Sequence, residues 1–121
     1  MSVETDRELL ELAAKAYWGT EIDDVCSVRW LEEEQAVGYT HADNQDHNGC
    51  DVELVWNPTT DDGDALRLAV KLRLHVSVFA DAIGIGMPSR GYEESKWVGD
   101  PYAATRRAIV LAAAAIGMAM P

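Results

Sequence analysis

Cysteine is scarce in this sequence, with only Cys26 and Cys50 among 121 residues. Two cysteines cannot build the disulfide framework of a small secreted scaffold, so we expect free thiols in a reducing cytoplasm. Long apolar runs are missing too: the longest, residues 108–120, is shorter than the roughly 20 residues that cross a bilayer. The N-terminus lacks the basic and apolar regions of a secretory signal.

Basic residues are few, with 10 Lys and Arg against 21 Asp and Glu and a net charge of −11. Such a charge excludes non-specific binding to nucleic acid or to an anionic membrane by the whole surface. The charge is uneven, because residues 1–64 carry a net −14 and residues 65–121 a net +3. We interpret the second half as able to hold a small anion. An intermixed, solvated charged surface is the alternative.

What is present is the composition of an ordinary globular protein, 48% apolar and 26% charged. The length predicts one domain over residues 1–121. In the first half, Thr5 and Glu8 form a capping-box pair, and apolar residues recur at helical spacing until Gly19. Residues 41–49 are polar and turn-rich, which is typical of a surface loop. Strands are predicted over residues 25–31, 36–40 and 52–56, the first two as a hairpin around the acidic residues 32–34.

The second half predicts a helix, a hairpin and a further helix. Thr60 suits the N-cap of a helix that runs to about Leu72, and Asp100 with Pro101 opens the last helix. The glycine-rich residues 84–91 are interpreted as a flexible connection between strands at 72–80 and 92–98. The inward-facing set of the earlier strand is Leu72, Leu74, Val76 and Val78. These elements predict a compact α+β domain, with short antiparallel hairpins packed against about three helices.

Two segments carry a resemblance to a known family. Residues 50–72 place Trp56 and an Asn-Pro pair ahead of a helix with an acidic start, and residues 100–117 open with Asp-Pro and continue with Ala-Thr-Arg. Together they resemble small bacteriophage and prophage accessory proteins of the NinX-like family. The resemblance covers 41 residues. It implies a phage protein in the host cytoplasm and supplies no chemistry.

Metal and enzyme motifs are not evident in the sequence. The loop after residue 40 gathers ligand types, but two histidines and one cysteine match no zinc spacing, and an EF-type loop begun at Asn44 would have Val55 at its twelfth position. We therefore expect a solvated loop, no cofactor and no enzymatic activity. The potential ligands are His41, Asp43, Asp46, His47, Cys50 and Asp51.

Seven basic and aromatic residues of the second half form the predicted ligand site. Guanidinium groups pair with phosphates and aromatic faces stack on bases, so these residues predict a nucleotide-type anion site beside the last helix. Asp100 at the helix start would repel a phosphate placed directly on the N-terminus. The alternative is that the aromatic residues pack and the arginines pair with the acidic half. The seven are Arg90, Tyr92, Lys96, Trp97, Tyr102, Arg106 and Arg107.

The first functional hypothesis is a phage counter-defence protein whose homo-oligomer sequesters a small nucleotide signal, with no nucleic-acid or membrane partner. The alternative is an acidic, DNA-mimic-like inhibitor of a host nucleic-acid-binding or defence protein. Its candidate groups are residues 23–24, 32–34 and 61–64.

The apolar last helix predicts a homo-oligomer, with a dimer as the expected form, because a peripheral helix of this kind needs a partner chain. We expect Val110, Ala113, Ala114 and Gly117 near the contact between chains. The expected core face is Ala104, Ala108, Leu111 and Ala115.

Overall fold

The computed structural model describes residues 5–19, 25–45, 51–88, 90–97 and 99–121, and its described side chains exclude those of residues 25–27, 41–45 and 51. Within these ranges the chain forms three helices and six strands. In chain order they are α1 (Asp6–Trp18), β1 (Val25–Leu31), β2 (Ala36–Gln45), β3 (Asp51–Trp56), α2 (Asp62–Lys71), β4 (His75–Val78), β5 (Ala82–Met87), β6 (Gly91–Lys96) and α3 (Pro101–Ala119). The predicted α+β class is confirmed.

The ends of α1 follow from local chemistry. Thr5 Oγ1 accepts a hydrogen bond from the Glu8 N–H at 3.1 Å, which satisfies one of the free donors of the first turn. Gly19 ends the helix with a φ of 49°, a conformation that glycine adopts without strain, and its N–H donates to the Lys15 carbonyl at 2.7 Å. Both predicted boundaries of this helix are therefore confirmed.

The first sheet has the order β1-β2-β3, with both strand pairs antiparallel. The acidic residues 32–34 lie in the turn between β1 and β2, as predicted. The prediction of a surface loop from residue 41 is wrong as far as residue 45, because β2 continues to Gln45, which pairs with Asp51 after a shift of register. Residues 46–50, and with them Asp46, His47 and Cys50 of the candidate metal ligands, lie outside the described residues.

The second sheet has the order β4-β5-β6, again antiparallel throughout. The prediction that residues 84–91 are a flexible connection is wrong for residues 84–87, which belong to the central strand β5. Strand β6 pairs with β5 rather than with β4. The predicted strand at 72–80 is shorter, because the chain turns at Arg73 with a φ of 56°. Of its predicted inward set, Leu72, Leu74 and Val76 pack against the core, but Val78 is exposed.

The alternation of side chains between the two faces of the sheet explains why a glycine-rich segment forms a central strand. Ile83 and Ile85 lie on the face toward the core and are buried. Gly84 lies on the opposite face, where the ring of Tyr92 crosses it so closely that a Cβ would lie 1.9 Å from the tyrosine hydroxyl. Glycine is required at this position because the Tyr92 ring lies against its Cα, and not because the chain turns there.

Helix α3 is the centre of the core, packed against α1, α2 and β5. Val110 and Ala113 are fully buried, and Ala114 is nearly so. A Cβ on Gly117 would lie 2.0 Å from the Leu12 carbonyl oxygen of α1, so the glycine permits the close approach of the two helices. Leu111, in contrast, is exposed.

The predicted assignment of the α3 faces is therefore wrong for the stripe expected between chains and for Leu111, whereas Ala104 and Ala108 of the expected core face do pack in the core. The stripe expected between chains, Val110, Ala113, Ala114 and Gly117, lies in the core of a single chain, because small residues admit α1 as readily as they would admit a partner helix. By length and composition alone α3 would also suffice to cross a membrane, a test that the core helix of a soluble protein passes as well.

Replacing Gly117 with alanine tests this helix contact. Alanine favours an isolated helix by about 1 kcal/mol over glycine, but here its methyl group would collide with the α1 backbone. We expect Gly117→Ala to lower the free energy of unfolding by about 1–3 kcal/mol, the usual effect of overpacking, in urea titration. The control is the neighbouring exposed residue, Met118→Ala. An unchanged or higher stability of Gly117→Ala would contradict the close contact.

Candidate functional site

A tight turn joins β3 to α2. The Asn57 carbonyl accepts the Asp61 N–H at 2.9 Å, while the Asn57 side chain accepts the Thr59 N–H at 3.0 Å. Because this turn occupies residues 57–60, the helix begins later than predicted, and Asp61 rather than Thr60 is its N-cap. The Asp61 carboxylate accepts the Asp64 N–H at 2.8 Å.

Asp64, the third residue after the cap, connects α2 to the strand before it. One of its carboxylate oxygens accepts the Asn57 N–H at 2.9 Å, and the other accepts from Arg67 Nη2 at 2.6 Å. The second bond raises the pKa of Arg67 above its ordinary value. These contacts set the position of α2 relative to β3.

Arg106 ties the start of α3 to the same turn. Its Nε donates to the Thr59 carbonyl at 2.9 Å, and its Nη1 lies 2.7 Å from Asp62 Oδ1. The arginine side chain is only 17% exposed. The two segments that carry the family resemblance, residues 50–72 and 100–117, are therefore in direct contact through this guanidinium.

Between α2, β4 and the start of α3 lies a cavity of about 480 Å³, which we call the apolar groove. Each element contributes residues at its own spacing: three and four apart on the helices, and two apart on the strand. Most of these side chains are apolar. The lining residues are Asp62, Ala65, Leu66, Ala69, Val76, Val78, Pro101, Tyr102, Thr105, Arg106 and Ile109.

The rim of the apolar groove exposes large apolar side chains to solvent. Leu66 is 64% exposed, Val78 62% and Tyr102 69%. Exposed apolar side chains that converge on a concavity are typical of binding surfaces, whereas isolated ones are ordinary. Asp62 and Arg106 supply charge at one end, and each neutralises the other.

Two of the seven residues predicted to form the ligand site, Tyr102 and Arg106, line the apolar groove together. Arg107 follows directly on α3 but faces α1, where its Nη1 lies 3.2 Å from Asp6 Oδ1. The pairing of arginines with the acidic half, which was the alternative interpretation, is thus realised for Arg106 and Arg107. Asp100 caps α3 as predicted, accepting the Tyr102 N–H at 3.0 Å.

The remaining four predicted site residues lie on or next to β6. Tyr92 covers Gly84, and its hydroxyl lies 3.2 Å from Glu94. Partial removal from solvent, and then this hydrogen bond, raise the pKa of the Tyr92 hydroxyl. Trp97 packs against the core, whereas Arg90 and Lys96 are exposed. None of these four lines the apolar groove.

Two further cavities are lined by described residues. One, of about 300 Å³, lies between α1 and the first sheet beside Trp18 and Trp30, where Lys15 Nζ already donates to the Met120 carbonyl. The other lies at the acidic β1–β2 turn, where Arg29 holds Glu53 through two hydrogen bonds and lowers its pKa. In the described part of the chain no group of three or more His, Cys, Asp or Glu residues is arranged to hold a metal.

Sequence reasoning missed the groove because, in α2, it considered only the apolar stripe that faces the core. A signal was present in α2, where Leu66 and Val70 fall outside the stripe made by Ala65, Leu68 and Ala69. Two apolar residues one turn apart on the solvent side of an otherwise amphipathic helix indicate an exposed apolar surface.

Comparison with protein-family models, with curated proteins and with solved structures finds no match to this chain. The resemblance to the NinX-like family therefore stays a prediction.

The two neighbouring arginines of α3 provide a matched pair for stability measurements. Arg106→Ala removes a largely buried guanidinium and leaves the Thr59 carbonyl without its donor, so we expect a loss of about 1–3 kcal/mol of unfolding free energy. Arg107→Ala breaks an exposed ion pair and should change stability by no more than about 1 kcal/mol. Urea titration of both variants measures the difference. Equal effects would show that Arg106 does not fasten α3 to α2.

Proposed function

We propose that this chain is a non-enzymatic accessory protein that binds a partner protein through the apolar groove. The observation that carries the proposal is the convergence of Leu66, Val78 and Tyr102, all more than half exposed, on one concavity of about 480 Å³. A monomeric fold gains nothing from leaving these side chains in water, whereas a partner's apolar side chains would bury them.

The charge around the groove favours a partner that is basic. Asp62 and Asp61 are already paired with Arg106 and Arg67, but the Asp62 side chain is still 72% exposed and the chain as a whole carries −11. Complementary charge on a partner would speed its association and set its orientation. This agrees with the alternative hypothesis from the sequence, an acidic inhibitor of a host nucleic-acid-binding or defence protein. Of its three candidate acidic groups, the groove favours residues 61–64.

The setting belongs to the proposal as well. Nine of the eleven groove residues lie in the two segments that resemble the NinX-like family. If the resemblance holds, the protein acts in the host cytoplasm. A homo-oligomer is compatible with this function, but its contact would use surfaces other than the buried α3 stripe.

Selection from a displayed library of random dodecapeptides tests binding at the groove. We expect the protein to enrich peptides, and Leu66→Glu to weaken their binding at least tenfold, because the charge would enter an apolar contact. Val70→Glu is the control, since Val70 is 68% exposed on the same helix, one turn further along, and does not line the groove. Failure to enrich any peptide, or equal binding by the Leu66→Glu variant, would refute the proposal.

A nucleotide-type ligand is the second candidate, favoured by Tyr102 and Arg106 in one cavity with flat apolar walls. A base would stack on Tyr102 and a phosphate would have to displace Asp62 from the guanidinium. The exposed Asp62 carboxylate next to this position opposes anion binding, and for that reason a partner protein is the first choice.

A thermal-shift screen against nucleotides and cyclic dinucleotides tests this second candidate. A ligand at about 100 times its dissociation constant should add about 2.7 kcal/mol to the stability of the folded chain. Tyr102→Ala should remove the shift without unfolding the protein, since Tyr102 is 69% exposed. The absence of a shift with any nucleotide would exclude this candidate.

A further inference from the structure

Strand β4 presents an open edge beside the apolar groove. Within the described residues it pairs with β5 alone, at the end of the order β4-β5-β6. The Phe79 N–H donates to the Ala82 carbonyl at 2.9 Å, so these two residues form a hydrogen-bonded pair. In an antiparallel sheet, hydrogen-bonded pairs alternate along the strand with pairs that are not hydrogen-bonded. His75 and Ser77 therefore direct their N–H and C=O groups toward β5, and Val76 and Val78 direct theirs outward.

The same two valines line the groove with their side chains. Val76 is paired with Ile85 and Val78 with Ile83, on the face of the sheet that looks toward the core. A strand added beside them, about 4.8 Å away, would bond to their free backbone groups and place every second side chain over the groove. Backbone bonds would give affinity, and the groove would select apolar residues at alternate positions.

Two other occupants fit less well. A second copy of this chain would bring a further net charge of −11 to a chain that already carries −11. A partner helix would cover Leu66 and Tyr102 but would leave the backbone groups of Val76 and Val78 unpaired under apolar contact, which is unfavourable.

We propose, resting on the function proposed above, that the ligand is an extended segment of a partner protein that adds to β4 as a further strand of the second sheet. Its side chains are apolar at alternate positions, and a Lys or Arg lies at the end next to Asp62. The Asp62 carboxylate is 72% exposed although Arg106 Nη1 lies 2.7 Å away, so a second cation can approach it from solvent.

An N-methyl scan of the tightest dodecapeptide from the library tests strand addition. Methylation of a peptide nitrogen removes one donor and leaves the protein unaltered, so the folding of a variant does not enter the result. We expect binding to fall at least tenfold at every second position within the core of the peptide and to change little at the positions between. Amide hydrogen exchange of the complex should slow at least tenfold at Val76 and Val78, with His75 and Ser77 little changed.

The outcomes separate the two proposals. If peptide binding depends on Leu66 but the scan shows no period of two and Val76 and Val78 gain no protection, strand addition is wrong and binding at the groove stands. If binding does not depend on Leu66, both proposals fail. Enriched peptides with apolar residues three and four apart would indicate a helical ligand and would also overturn strand addition.

Discussion

The close contact between α1 and α3 is the constraint on which the rest of the structure depends. Gly117 admits the Leu12 carbonyl of α1 at a distance that no side chain would allow, and the fully buried Ala113 and Val110 continue the same face. With one face of α3 occupied by α1, the other faces of the helix remain for α2 and β5. An almost uniformly apolar helix is thereby covered from several directions within one chain.

This arrangement leaves the first turns of α3 partly uncovered. At that end the helix is fastened to α2 by Arg106 rather than by close packing, since the guanidinium spans to Thr59 and Asp62. Beside this contact a space remains between the two helices. The resulting space is the apolar groove, and β4 returns from α2 to form its third wall.

The sequence predicts the elements whose signals are local. The capping pair at Thr5, the Asp-Pro start of α3 and the hairpin around the acidic turn each depend on neighbouring residues, and all three were identified. Strand β5 was missed because its glycines are explained only by the ring of Tyr92 from the next strand. The core face of α3 was misassigned because a helix that is apolar all round has no periodicity to define one face.

The candidate site depends even more on distant contacts. Arg106 and Arg107 look alike in the sequence, yet they turn to opposite partners, Asp62 on α2 and Asp6 on α1. The charge composition offered the pairing of the basic half with the acidic half as an alternative but could not say which residues pair. The groove itself appears only when α2, β4 and α3 are placed together, because its lining residues come from three separate elements.

Hydrogen exchange in the free protein tests the open edge of β4 most directly. The hydrogen-bonding pattern of β4 predicts that the amides of His75 and Ser77 are protected and that those of Val76 and Val78 exchange nearly as fast as in an unfolded peptide. Because they lie in the buried part of α3, the amides of Val110 to Ala114 should exchange slowest. Protection of Val76 and Val78 in the absence of any ligand would mean that the edge is already covered, and it would contradict the groove as a site for a partner strand.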